Sequence, residues 1–345
     1  MRAVTDLFNG PESEQVAVIA EVGVNHNGDV ALAHRMIDIA AESGAAAVKF
    51  QTFQPEALAA ASAATTPYQR KNGGAASQAE LLRSLMLPDS AWRELMSHAA
   101  DLDIRFLSTP FDLASAHLLC ELGVDVLKVS SGELTNLPFL TAVADLGLPL
   151  LVSTGMGDMA EVEAAVQACA AAPRLALFHC VSAYPAPLEQ CNLAAIPAMA
   201  AQLGVPVGWS DHTTGVSAAV IAVTLGARLL EKHFTVSRDM PGPDHRASLE
   251  PEELIEYVAT TTAVPRAVGD GRKRRMPAEE ENAPLVRRSW HATRDIDAGQ
   301  HVVPDDVVVL RPETGISAAR DVVGRLTARP IRAGEAVVED MLEQA

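Results

Sequence analysis

Aromatic residues are scarce in this chain, at 4% of 345 positions, so its core must be packed mostly from Ala, Val, Leu and Ile. No apolar run approaches the about 18 residues that a membrane-spanning helix needs. The first fifteen residues, MRAVTDLFNGPESEQ, lack the apolar stretch of a secretory signal. Four cysteines, Cys120, Cys169, Cys180 and Cys191, stand far apart with no C-x-x-C pair. A disulfide framework is therefore not expected, and a cytoplasmic location is. Basic residues are the minority, 27 against 44 acidic, for a formal charge of −17. A field of that sign repels nucleic acid and anionic membranes, so neither is an expected partner. Lysine is scarcest of all: Lys49, Lys71, Lys128, Lys232 and Lys273 stand against twenty-two arginines.

What is present is a repeating pattern. From residue 16 to about 264, short apolar runs rich in β-branched residues alternate with Ala-rich segments of helical period, as parallel strands joined by crossover helices do. Candidate strands fall at 16–24, 46–53, 104–110, 125–131, 149–155, 175–182, 206–212 and 228–234. Helical segments include 29–44, which opens on an Asp cap and stops at a Gly, and 158–172 and 215–227. Eight β/α units over about 250 residues fit a TIM barrel, a (β/α)8 fold, and no G-x-G-x-x-G follows the first strand to suggest a doubly wound sheet. The stretch from 54 to 78 reads as a long loop, the kind that forms lids and binding loops.

Near 269 the pattern stops, and GDGRKRRMPAEEENAP reads as a charged linker. Short Val-rich strands with D-A-G and R-A-G turns follow. The expected organisation is a barrel over 1–275, a linker at 276–285 and a small β-rich domain at 286–345. Residues 286–345 carry a formal charge of −2 and residues 1–285 carry −15, so the acidity belongs to the barrel.

In a TIM barrel the reacting groups project from the C-terminal strand ends. Here those ends carry Glu21 and N-H-N-G (25–28); Lys49 and Gln51; Ser108 and Thr109; Lys128, Ser130, Ser131 and Glu133; Ser153 and Thr154. The last three strands add His179, Ser182 and Tyr184; Ser210, Asp211 and His212; Glu231, Lys232 and His233. Any one of these could merely satisfy buried backbone groups. All eight strands ending this way is costly without a function. Three of the five lysines lie at these ends; with Thr109, Ser131, Ser153 and Ser210 they describe a pocket for a small, doubly charged phosphate. His212 and His233, with Glu21 and Glu231 nearby, suit a divalent metal, although no H-x-x-x-H or H-E-x-x-H spacing marks them. Neighbours in a strand face opposite ways, so His179 and Cys180 do not pair as base and nucleophile.

The strand-end motifs IAEVGVNHNGD (19–29), VKFQTF (48–53), FLSTPFD (106–112), SSGELTNLP (130–138), STGM (153–156), HCVSAYPAP (179–187), GWSDHT (208–213) and EKHFT (231–235) resemble those of the sialic acid synthases. MPGPDHRASLEPEEL (240–254) and RPETGI (311–316) do so too. This N-acetylneuraminate synthase family has the legionaminic and pseudaminic acid synthases as relatives. The resemblance implies a TIM barrel followed by an antifreeze-like (SAF) domain, in a domain-swapped homodimer. It implies condensation of phosphoenolpyruvate with N-acetylmannosamine, an N-acylated amino sugar, or alternatively with a 2,4-diacetamido-6-deoxyhexose. It assigns the phosphate and carboxylate of phosphoenolpyruvate to Lys49, Gln51, Thr109, Lys128, Ser131, Ser153 and Ser210, and less directly to Ser182. Tyr184 and Asp244 would face the sugar, Arg311 would reach into the partner's barrel, and Mn2+ or Mg2+ would sit on His212 and His233. In such a reaction C3 of phosphoenolpyruvate attacks the sugar aldehyde, water adds at C2 and phosphate leaves by C–O cleavage. The base that activates the water is Glu21 or Glu133. N-H-N-G and VKFQTF favour the neuraminate and legionaminic branches over the pseudaminic one. Another phosphoenolpyruvate–aldose synthase, or a non-catalytic carbohydrate- or ice-binding protein, fits the small domain or the charged strand ends less well.

Overall fold

A computed structural model describes residues 6–58 and 78–344. It divides into two compact units, 1–269 and 270–345. In the first unit eight parallel strands appear in the expected places: β1 (Ala17–Gly23), β2 (Ala47–Thr52), β3 (Arg105–Pro110), β4 (Leu127–Val129), β5 (Leu150–Ser153), β6 (Leu175–Cys180), β7 (Val207–Asp211) and β8 (Leu229–His233). They hydrogen-bond in the order β3-β2-β1-β8-β7-β6-β5-β4, and β3 lies beside β4 without a ladder between them. The result is a nearly closed (β/α)8 barrel.

Helices connect the strands: α1 (Val30–Glu42), α2 (Pro55–Leu58), α3 (Gln78–Leu85), α4 (Asp89–Asp101), α5 (Leu113–Leu122), α6 (Leu137–Ala144), α7 (Met159–Ala168), α8 (Ala195–Leu203), α9 (Ser217–Thr224) and α10 (Pro251–Val268). Their starts follow the sequence. Asp29 caps α1 through the amides of Ala31 and Leu32, and Asp158 forms a reciprocal capping box with Glu161 at α7. The helices of 158–172 and 215–227 are shorter than expected: the backbone leaves the helical region at Cys169 (φ −88, ψ 9) and at Leu225 (φ −81, ψ 2), although Cys169 and Ala227 remain buried in the core. Within the expected loop at 54–78, Pro55–Leu58 is helical, and residues 59–77 lie outside the described residues.

Alternation along each strand builds two cores. One parity faces the helices: Val18, Ala20, Val22, Val48, Phe50, Phe106, Leu127, Val152, Leu177, Trp209 and Leu230 belong to the large outer cluster. The other parity faces the barrel axis, where Ala17, Ile19, Ala47, Leu107, Val126, Leu151, Ala176, Phe178 and Leu229 fill the lower interior. The segment before β1 closes that end: Leu7 and Phe8 join the inner cluster, and Arg174 lies 4.4 Å from the Phe8 ring centroid while pairing with Asp6 at 2.8 Å. The barrel is thus plugged with apolar side chains at one end, and its polar inward positions all lie at the other. Among the described residues no helix is long and apolar enough to cross a membrane.

The second unit contains a short helix, α11 (Asn282–Val286), and an antiparallel pair, β9 (Ser289–Ala292) and β10 (Val307–Leu310). Its core is Val- and Ile-rich: Ile296, Val302, Val307, Ile316, Val322, Ile331 and Val337. The charged stretch read as a linker is not wholly irregular. It holds a 3-10 turn at Pro277–Glu279 and α11, both of which belong to the second unit.

Candidate active site

Continuing the inward parity past the apolar layer gives Glu21 on β1, Lys49 and Gln51 on β2, Thr109 on β3, Lys128 on β4, Ser153 on β5, Cys180 on β6, Ser210 on β7, and Glu231 and His233 on β8. Glu21, Lys49, Lys128, Ser153, Ser210 and Glu231 are all at most 5% exposed. Charges so buried must be paired, and they are. Lys49 lies 2.8 Å from Glu21 and 3.6 Å from Glu231, and it donates to Thr109 Oγ1 at 2.9 Å. Lys128 lies 3.7 Å from Glu231 and donates to Ser153 Oγ at 2.5 Å. Ser210 Oγ donates to Glu231 at 2.9 Å, and Gln51 Nε2 to Glu21 Oε1 at 3.3 Å. Two ammonium groups, from β2 and β4, therefore converge on one carboxylate, ringed by three hydroxyls.

Proton affinities differ sharply across this cluster. Burial pushes the Glu21 carboxyl up to about 7, against the pull of Lys49. Burial would raise Glu231 as well, but Lys128 and Lys49 overcome it and hold its carboxyl down at about 2. Burial lowers Lys128, opposed by Glu231; for Lys49 the two glutamates outweigh burial and raise it. The two carboxylates of one cavity are thus driven in opposite directions, Glu231 towards the ionised form by the lysines and Glu21 towards the protonated form by burial.

Around the ends of β4, β5 and β6 a second group gathers. Ser131 Oγ lies 3.1 Å from Cys180 Sγ and accepts from the Gly155 amide at 3.0 Å. A β-carbon on Gly155 would overlap Ser182 Oγ, Cys180 Sγ and Ser131 Oγ, so glycine is needed for this approach. His212 and His233 lie side by side, ring centroids 5.8 Å apart, with the Tyr184 ring 4.3 Å from the first and 5.9 Å from the second. His212 Nδ1 pairs with the Val181 carbonyl at 2.8 Å, which fixes the proton there and leaves Nε2 its lone pair. His233 Nδ1 is buried without a hydrogen-bond partner, and Gly23 (φ +57) leaves room for its ring, since a β-carbon there would lie 3.2 Å from Cε1. Burial lowers both rings, His233 to about 3 with His212 alongside, so both are neutral near pH 7. Two neutral imidazoles, one with an orphaned buried nitrogen, fit a divalent cation. Among the described residues no third His, Cys, Asp or Glu completes a protein-only set, so solvent or substrate oxygens would fill the remaining positions.

Other expected residues lie further out. Asp244 is in the loop after β8, where burial pushes its carboxyl up to about 6; His245 Nε2, 3.2 Å from Asn27 Oδ1, ties that loop to N-H-N-G. Glu133 ends a short 3-10 turn after β4, half-buried, and accepts from Asn136 at 2.7 Å; no hydrogen bond or ion pair joins it to the Glu21–Glu231 cluster. Arg311 is exposed in the second unit, just after β10.

The structure corrects one feature of the lysine pattern. Lys232 has the outward parity and points into the helix layer, where it pairs with Asp211 at 3.2 Å. Among the described residues, Lys49 and Lys128 are the lysines whose side chains line the cavity. Ser108 also faces outward, bonded to Thr52 at 2.7 Å, and His179 bonds the Cys191 carbonyl at 2.8 Å. Glu231, available in sequence as a carboxylate, turns out to be the hub that both lysines share. Its two-residue spacing from His233 was the available signal, since i and i+2 in a strand face the same way.

Residues 36–273 match the NeuB family and residues 287–343 the SAF domain. The chain is 40% identical to the N,N'-diacetyllegionaminic acid synthase of Campylobacter jejuni subsp. jejuni, over 94% of this chain and 100% of that one. It is also 40% identical to the N,N'-diacetyllegionaminic acid synthase of Legionella pneumophila subsp. pneumophila, over 94% of each. Among solved structures, the N-acetylneuraminic acid synthetase of Leptospira borgpetersenii serovar Hardjo-bovis, in complex with citrate, superposes with a TM-score of 0.68 at 34% identity, covering 78% of this chain and 90% of that one. The chain is an enzyme that belongs to the NeuB family of sialic-acid-type synthases, with a SAF domain at its C-terminal end.

Proposed function

We propose that the barrel condenses phosphoenolpyruvate with an open-chain N-acylated amino sugar and water, releasing phosphate. The observation that carries this is the pairing of Lys49 and Lys128 over Glu231 in a buried cavity, with Thr109, Ser153 and Ser210 around them and two neutral imidazoles at its mouth. Two ammonium groups so placed match a phosphate or carboxylate, and their charge stabilises phosphate as it departs. Entry of the anion replaces glutamate oxygens as the partners of the two lysines. Ser131, held by the Gly155 amide, and Ser182 extend the donor set, and Gln51 orients Glu21.

A divalent cation, Mn2+ or Mg2+, held by His212 and His233 would polarise the acceptor's carbonyl. Glu21, with its raised proton affinity, is the better placed of the two candidate bases: it lies inside the cavity, whereas Glu133 is bonded to Asn136 outside the cluster. Tyr184, whose ring lies tilted against His212 and edge-on to His233, and Asp244 face the sugar. Arg311 completes the site of a partner subunit in a swapped homodimer.

The acceptor differs from the one the motifs first suggested. The 40% identity to two N,N'-diacetyllegionaminic acid synthases, against 34% to the structure of an N-acetylneuraminic acid synthetase, favours a 2,4-diacetamido-6-deoxyhexose over N-acetylmannosamine. The test is phosphate release from phosphoenolpyruvate with each sugar offered in turn, before and after treatment with a chelator. Turnover is expected to be faster with the diacetamido sugar, to disappear with metal removal and to return on adding Mn2+. Full turnover in metal-free buffer would overturn the cation assignment, and preference for N-acetylmannosamine would return the acceptor to the neuraminate branch.

A further inference from the structure

Behind the two histidines, on the helix-facing side of β7 and β8, lies a charged network that the cavity does not use. Asp211 and Lys232 are ladder partners, 3.2 Å apart, with side chains 0% and 1% exposed. Tyr257, from α10, donates its hydroxyl to Asp211 Oδ2 at 3.1 Å, and Lys232 Nζ lies 5.6 Å from the Tyr257 ring centroid. Both charged groups also grip one residue. Asp211 Oδ1 accepts from the amide of Thr213 at 2.9 Å and from its hydroxyl at 2.7 Å, and Lys232 Nζ donates to the Thr213 carbonyl at 2.5 Å.

Stability does not account for an ion pair in this position. Removing two charges from water costs several kcal/mol per ion, and apolar residues of similar volume are often as stable or more so. The surrounding layer is apolar, with Trp209, Leu230 and Phe234 on the same faces. Location does account for it. His212 sits between Asp211 and Thr213, and His233 directly follows Lys232. Because side chains alternate, fixing the outward residue fixes the direction in which its inward neighbour emerges. The Ala186 amide donates to the His212 carbonyl at 2.8 Å and the Leu249 amide to that of His233 at 3.0 Å, so the two strand ends are anchored on each side.

We propose that Asp211, Lys232 and Tyr257 form a clamp of positioning residues that sets the relative placement of His212 and His233. The proposal rests on the reading of those histidines as a cation-binding pair. The clamp holds Thr213 by its amide, hydroxyl and carbonyl, which keeps the His212 backbone where Nδ1 meets the Val181 carbonyl and its ring lies beside that of His233. His233, whose Nδ1 has no hydrogen-bond partner of its own, depends on its backbone and on ring packing against Tyr184 and His212 for its placement.

Two variants test this with the full-length protein. The double variant Asp211→Leu/Lys232→Met removes both charges at once and leaves no unpaired ion, and Tyr257→Phe removes one hydroxyl. Mn2+ affinity is measured by electron paramagnetic resonance of the free ion, and the tautomer of His212 by imidazole 15N shifts in metal-free protein at fixed pH. The double variant is expected to melt at or above the wild-type temperature, yet to bind Mn2+ about tenfold or more weakly and to lose the single Nδ1-protonated tautomer of His212. Tyr257→Phe is expected to weaken Mn2+ several-fold, and it decides the matter if the double variant does not fold. Wild-type Mn2+ affinity together with a wild-type 15N pattern would overturn the clamp, as would a lower melting temperature with both readouts unmoved. Mn2+ binding that survives His212→Ala/His233→Ala would instead refute the cation reading, and the clamp is then judged on the tautomer alone.

Discussion

Glu21 and Glu231 are the same amino acid in the same cavity, yet their surroundings drive them apart. Glu231 lies between two ammonium groups and stays ionised, whereas Glu21 is pushed up to about 7 by burial. If Glu21 activates the water it must be deprotonated, so turnover should fall about tenfold per pH unit below about 7. Glu21→Gln should abolish both the rate and that acid limb in a pH–kcat/KM profile; retention of the limb in Glu21→Gln and its loss in Glu133→Gln would move the base role to Glu133. Lys128 faces a different task. Its replacement by Met removes one of the two charges proposed to meet the phosphate and should lower kcat/KM for phosphoenolpyruvate by about 100-fold, which steady-state kinetics would show.

At the scale of elements, the turn from β5 to α7 joins a structural device to a functional one. Asp158 and Glu161 cap α7 reciprocally, and three residues earlier Gly155 brings its backbone against Ser131, Cys180 and Ser182. The two features should separate by mutation. Asp158→Ala should cost about 1 kcal/mol, seen as a melting temperature lower by about 2 °C with kinetics unchanged. Gly155→Ala places a methyl among three polar groups and should depress kcat/KM for phosphoenolpyruvate by about 100-fold, with a smaller effect on kcat at saturation. Equal kinetics in Gly155→Ala and wild type would show that this corner of the barrel does not hold the substrate.

For the whole molecule, a barrel of formal charge −15 presents a repulsive surface to its own proposed trianionic substrate. Attraction therefore has to be local, and Lys49 and Lys128 supply it inside the cavity. In the proposed reaction the second unit contributes Arg311. Arg311→Ala should lose turnover while leaving phosphoenolpyruvate binding intact. Mixing inactive Arg311→Ala and His212→Ala subunits provides the stronger measurement: if the arginine acts on a partner's barrel, co-refolded mixtures should regain about a quarter of wild-type activity. No recovery would place Arg311 in its own chain's chemistry or outside the site.

The amino-acid sequence by itself determined the eight strands, their order along the chain, the helix starts at Asp29 and Asp158, and the small Val-rich unit after the charged stretch. These depend on local physics: runs of β-branched residues that are apolar on both faces, capping side chains, and turns that need glycine. It also placed the chemistry at the C-terminal strand ends, because polar side chains have no other tolerable place on strands so apolar. Only the tertiary structure decided which of those side chains meet. Lys232 and Asp211 looked equivalent to Lys49 and Ser210 until alternation sent them into the helix layer. The spacing from His233 marks Glu231 as inward-facing, but its place as the hub is not in the sequence, because its partners come from β2, β4 and β7 and meet it only when the barrel curls round. Closure of the sheet brings β8 beside β1, and that contact turns scattered lysines, glutamates and histidines into one cavity.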